Sequence, residues 1–192
     1  DGFGQIPSNA IVVAADLILR VPPEDPNSTG DGSPLYRMLL PWDETNSTWT
    51  SLGNGVDQDD IESRSTFDSQ FGLVDGSGST GTGSISFSVR PDVQAWQGAA
   101  ANYGWAMPGW VGNGDGTTIS PGEATNVFDR PRLRVLWLPA DSASVTSLRQ
   151  NVNDYTNAAD TSLRANAPDT DRSTIQTLFP DWAVSGTSDN EQ

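Results

Sequence analysis

Three stretches of this chain alternate residue by residue between apolar and polar side chains, the period of two that a β-strand with one buried face requires. In "AIVVAADLILRV" (10–21), Ala15, Leu17, Leu19 and Val21 fall on one face, with Asp16, Ile18 and Arg20 on the other. In "SISFSVR" (84–90), Ile85, Phe87 and Val89 point one way and the serines the other. In "RPRLRVLWLP" (130–139), arginines alternate with Leu133, Val135 and Trp137, and a proline ends the run. "PLYRMLLPW" (34–42) reads as a further strand, and so does "NYGWAMPGW" (102–110), where Tyr103, Trp105 and Met107 alternate. Only "PDVQAWQGAAA" (91–101) has helical character, with Pro91 near its start and Val93 and Trp96 three apart. The intervening segments, such as "VPPEDPNSTGDGS" and "VDGSGSTGTG", are turn and connector sequences. With 19 Gly, 13 Pro and seven Trp in 192 residues, these patterns predict one all-β domain, with room for a short appendage.

What the chain lacks limits its chemistry. It has no histidine, no cysteine and, among its ten basic residues, no lysine, so His bases, thiol nucleophiles, Schiff bases and the P-loop lysine are all absent. A pair of carboxylates in the manner of a glycosidase remains. It needs one acid in a desolvated setting, and here the acids cluster in polar loops, so the expectation is that the chain is not an enzyme. The formal charge of −15 repels phosphate backbones and anionic lipid, which argues against nucleic acid or membrane partners. No apolar run is long enough to span a bilayer, and the opening "DGFGQIPSNA" reads as mid-loop, as though this were a piece of a longer protein.

Three kinds of binding site are candidates. Calcium is the candidate cofactor, because hard cations take several loop oxygens and "DQDDIE" offers Asp57, Asp59 and Asp60; solvated acidic turns are the plainer reading of the same residues. Tryptophans stack on sugar rings, and Trp49 in "NSTWTS" and Trp110 in a Gly-rich loop are the expected exposed pair. Trp96, Trp105 and Trp137 lie on core faces. Asn27 and Asn46 each open an Asn-Ser-Thr acceptor sequence for glycosylation, which matters only in an organism that N-glycosylates.

Five motifs in order carry a family resemblance: "IPSNAIVVAADLILRV", "YRMLLPWDETNSTW", "SVRPDVQAW", "NYGWAMP" and "RPRLRVLWLP". Over residues 5–138 they resemble the bacterial DNRLRE-type β-sandwich domain, although Tyr36 stands where relatives often have histidine. The resemblance implies an all-β, jelly-roll-like antiparallel β-sandwich in a secreted or cell-surface protein, with carbohydrate-binding modules among its relatives. It also implies an unusual order. Segment 155–192 resembles the family's opening stretch but follows the closing strand, so residues 1–140 read as a sandwich lacking its opening strands, and 141–192 as a linker plus the start of the next copy. "SVTSLRQNV" (144–152) and "TSLRANAP" (161–168) read as short β-type pieces, and "DSASVTSLRQ" (141–150) would then be a hinge. This C-terminal extension completes either its own sandwich or a neighbouring one, with Leu148, Leu163, Ile175 and Leu178 as the assembly residues. The expected function is a non-catalytic subunit of an extracellular bacterial filament, copies joined head to tail by strand complementation. The alternative is a carbohydrate-binding module of a secreted multidomain protein.

Overall fold

The computed structural model describes residues 6–23, 32–71, 81–108, 110–111, 117–139, 144–152, 156 and 181–182. The elements run β1 (Ile11–Val21), β2 (Ser33–Arg37), β3 (Ser69–Phe71), β4 (Gly83–Ser88), α1 (Arg90–Gln97), β5 (Trp105–Ala106), β6 (Trp110–Val111), β7 (Arg132–Leu138), β8 (Ser144–Arg149) and β9 (Asp181–Trp182). Two antiparallel sheets make up an all-β sandwich: a four-stranded one ordered β4-β1-β7-β8 and a three-stranded one ordered β3-β2-β5.

The alternation read from sequence sets the inner faces. Ala15, Leu19 and Val21 of β1, Phe87 of β4 and Val135 of β7 are buried, and Leu17, Ile85, Leu133 and Trp137 pack against them half-buried. Their register aligns them in rows: Phe87 opposite Leu17, Leu17 opposite Leu133, and Leu133 opposite Leu148. Leu35 of β2 and Phe71 of β3 close the core from the other sheet. The two layers meet most directly where Phe71 and Phe87 lie edge to face, ring centroids 5.1 Å apart, the geometry that the ring quadrupoles favour.

One buried residue breaks the alternation. Val12 has the opposite parity to Ala15, yet both face the core, because the register against β7 shifts between Val12 and Ala14. An extra residue in one strand inverts the face of everything before it. The carbonyl of Val12 at this bulge accepts from Arg90 Nε at 3.1 Å and Gln94 Nε2 at 3.4 Å. Gln97 Nε2 donates to the carbonyls of Pro7 and Ala10. Helix α1 thus holds the entry into β1 with three side chains.

Several expected elements differ in extent. The strand expected over 34–42 ends at Arg37; Met38 makes only an isolated bridge to Ser63 and is followed by a turn-rich loop. The strand expected over 102–110 is two short pieces, Trp105–Ala106 and Trp110–Val111, and the first starts only after Gly104, whose φ of +74 is a left-handed value. Within the segment expected as a hinge, residues 144–149 form β8, in keeping with the β-type reading of "SVTSLRQNV", and β8 pairs with β7 of the same chain over six registered positions. The start of the extension therefore completes its own sheet. Further along, Asp181 and Trp182 pair in parallel with Trp110 and Val111.

Candidate functional site

The first turn of α1 carries the most enclosed charge in the described structure. Asp92 follows Pro91, where an acid also suits the positive end of the helix dipole, and its side chain is 0% exposed. Its Oδ2 accepts from the Trp105 indole N–H at 2.7 Å, and its Oδ1 faces Arg37 Nη1 at 3.5 Å. Asp68, with a side chain only 4% exposed, accepts from the Arg37 backbone N–H at 2.8 Å and from Arg64 Nη1 at 2.8 Å. Burial holds the Asp92 carboxyl above the usual carboxylate range. The Trp105 N–H opposes that shift, the nearby Asp68 adds to it through charge and a carboxyl–carboxyl hydrogen bond, and Arg37 opposes it. This arrangement joins β2, the segment before β3, α1 and β5.

The expectation that the acids cluster in polar loops, with none desolvated, is therefore corrected: Asp92 is a desolvated carboxyl beside a second one. A catalytic pair must reach solvent-borne substrate, however, and these two are enclosed by Arg37, Arg64 and Trp105. The arrangement suits a buried polar tie between the layers, where polar groups must satisfy one another. The sequence signal was the acid behind Pro91 in "RPDVQAW", with "RSTFDSQF" supplying its neighbour.

Beside this tie lies a second, smaller apolar cluster. Met38 and Val56 are buried, with Trp42, Trp49, Leu52, Tyr103 and Ala106 packed around them. Trp42 donates from Nε1 to the Tyr103 carbonyl at 2.7 Å. The loop between Trp42 and Trp49 is held by Asp43, whose Oδ1 accepts from the backbone N–H and hydroxyl of Thr45 and from the backbone and side-chain N–H groups of Asn46. These bonds, the Thr45 hydroxyl first, hold the Asp43 carboxyl below its ordinary value.

The residues singled out in the sequence are not brought to one place. Trp49, expected exposed, is half-buried in this second cluster, and its carbonyl accepts from Asn54 and Gly55. Trp110 lies in β6, and its side chain is outside the described residues. Asn46 is exposed and ties back to Asp43, whereas Asn27 lies outside the described residues. Asp57, Asp59 and Asp60 are all exposed, but each does turn work. The Asp57 carbonyl accepts from the N–H and hydroxyl of Ser63, Asp59 Oδ1 accepts from the Ile61 N–H, and Asp60 accepts from the hydroxyl and N–H of Ser65. The Ser65 hydroxyl is the main reason the Asp60 carboxyl lies below its ordinary value. Among the described residues, no three acidic side chains converge on a point that would hold a metal ion. Leu148 sits in β8 opposite Leu133, half-buried; Leu163, Ile175 and Leu178 lie outside the described residues. Trp96, Trp105 and Trp137 pack on the main core as expected, the first two with rings 4.6 Å apart.

Fold and site together define an all-β sandwich tied internally by buried charge. Comparison with known proteins adds nothing to that class: no family model, no curated protein and no solved structure matches the chain.

Proposed function

We propose that this chain is a non-catalytic structural subunit of an extracellular bacterial fibre, its copies joined head to tail by strand addition. The observation that carries the reading is β8. A segment from beyond Pro139 fills the seat beside β7, and β8 is then, among the described residues, the last strand of its sheet. Such a strand presents a row of backbone donors and acceptors to any extended segment that reaches it. In this reading the extension beyond Val152, with Leu163, Ile175 and Leu178, is donated to the β8 edge of the next copy, and the pairing of Asp181 and Trp182 with Trp110 and Val111 of its own chain is released on assembly. A head-to-tail contact of that kind does not close on itself and grows into a filament. The resemblance to DNRLRE-type domains supports an extracellular setting. The enclosure of Asp92 and Asp68, with the absence of histidine, cysteine and lysine, supports a role without catalysis.

The test compares the full chain with versions ending at Val152 and at Pro139, by negative-stain microscopy and light scattering. The full chain is expected to form filaments. The version ending at Val152 should stay folded and monomeric, and the version ending at Pro139 should lose stability along with β8. A full chain that remains monomeric at every concentration overturns the fibre reading and leaves the carbohydrate-module alternative, with Trp49 and Trp110 as its platform residues.

A further inference from the structure

The outer face of the four-stranded sheet concentrates positive charge in a chain of formal charge −15. Arg132 and Arg149 are directly opposite one another across the β7–β8 ladder, and Ile18 is opposite Arg132 on its other side. Like charges in directly opposed positions repel and are normally avoided. Among the described residues neither arginine forms an ion pair, and the Nε atom of each is buried without a hydrogen-bond acceptor.

Among the described residues, the acids beside this face are engaged with other groups, except that Glu123 Oε2 is itself buried without a hydrogen-bond partner and pairs with neither arginine. Asp129 faces Arg20 at 3.4 Å and accepts from Asn126. Asp16 is taken by Arg134 at 2.8 Å. Arg130 is engaged with the carbonyls of Ala124 and Gln150. Arg149 lies over the ring of Phe128, 5.7 Å from its centroid, and that ring is 77% exposed. Burial, then the charge of Arg132, holds the Arg149 guanidinium below its ordinary value, with Asp129 opposing.

We propose that Arg132 and Arg149 form an oxyanion site, in which a carboxylate, sulfate or phosphate group bridges the two guanidinium groups beside Phe128. Guanidinium forks match the geometry of such groups, and a bridging anion removes the repulsion while supplying acceptors. The site is independent of the fibre reading, because it needs only the β7–β8 register. The oxyanion has two conceivable sources, a free ion or a carboxylate of another copy such as the exposed Asp57 and Asp59.

Sulfate stabilises most folds by exclusion from their surfaces, so the test must resolve the site itself. The full chain is titrated with sodium sulfate, phosphate and acetate, and with sodium chloride at matched ionic strength, while the arginine Nε–H signals are followed by NMR. Saturable shifts at Arg132 and Arg149 with the oxyanions but not with chloride are expected. Arg132→Gln and Arg149→Gln should each weaken the response at least tenfold. Without oxyanion, Arg149→Gln should melt no lower than the parent, since it relieves the repulsion. Dilution distinguishes the sources. Signals that move on dilution of the salt-free protein, and no longer do so in Asp57→Asn/Asp59→Asn, assign the carboxylate to a second copy; signals indifferent to dilution assign a free ion. An equal response to chloride and oxyanions, or no saturable response at either arginine, overturns the site.

Discussion

Replacing Asp92 distinguishes a buried tie from an incidental acid. Asp92→Ala leaves Arg37 facing an empty, enclosed space and orphans the Trp105 indole N–H, which now donates at 2.7 Å. Removing one partner of a buried charged pair typically costs about 3–5 kcal/mol. At roughly 2–4 °C per kcal/mol for a chain of this size, the melting temperature should fall by roughly 6–20 °C. Asp92→Asn is a different perturbation. The amide oxygen can still accept from Trp105, and its N–H can donate to Asp68, so the buried donor keeps its partner and the cost should be only about 1 kcal/mol.

The pH dependence has a definite sign. Because the folded carboxyl of Asp92 titrates above its ordinary value of 3.8, the folded chain keeps a proton that the unfolded chain releases. Its contribution is fully present below that ordinary value and is lost as pH rises through the raised one. Asp43 and Asp60 act oppositely: their folded carboxyls are lowered, so their contribution is lost as pH falls through those values. Subtracting the urea-unfolding profile of Asp92→Asn from that of the parent isolates the Asp92 slope. Asp92→Ala costing less than about 1 kcal/mol would refute the tie, because an orphaned buried donor alone costs at least that much. A difference profile that rises with pH would refute the raised carboxyl.

Four further outcomes follow from the packing. A double-mutant cycle on Phe71→Leu and Phe87→Leu should return a coupling of about 0.5–1.5 kcal/mol, and zero coupling in chemical denaturation would deny the edge-to-face contact. Leu148→Asp places a charge on the inner face opposite Leu133 and should cost about 2 kcal/mol or more in the same assay; full tolerance would mean that β8 does not dock on β7. Gly104→Ala should cost about 1–2 kcal/mol from backbone conformation alone. Its Cβ would meet nothing within 4 Å, so a much larger loss in a melt would contradict the open space there. Trp49→Ala should lower stability by about 2 kcal/mol through the Met38–Val56 cluster, whereas Trp49→Phe should recover most of it. Equal melting of Trp49→Ala and the parent would restore a purely exposed role for Trp49.

How much of this was legible in the sequence depends on how local each cause is. The inner faces of β4 and β7, and of β1 from Ala15 onward, were readable because alternation is a property of consecutive residues. Val12 was not, since its direction depends on a bulge against β7. Nor was β3, whose three residues are too few to show a period. The burial of Asp92 depends on Arg37, Asp68 and Trp105, which reach it from three other parts of the chain. Trp49 gave a related difficulty: a tryptophan in a polar stretch looks exposed until the cluster that covers it is assembled. Opposition of Arg132 and Arg149 is likewise a fact of register, and only the hairpin geometry fixes it.

That hairpin also bears on how copies could join. The closing registered pair between β7 and β8 is Trp137 with Ser144, so residues 138–143 make the connection. Closing so short a loop costs little entropy. It also gives β8 an effective concentration at its own β7 of roughly millimolar or above, which a neighbouring copy would have to exceed to displace it. Exchange of β8 between chains is therefore the weaker route to a fibre. Addition at the side of β8 that no described strand occupies meets no such competitor among the described residues, because it leaves the β7–β8 ladder in place. A fibre built this way should retain the β7–β8 ladder in every subunit. Amide exchange in Leu133–Trp137 should then be equally slow in monomer and filament, whereas exchange along β8 should slow only on assembly.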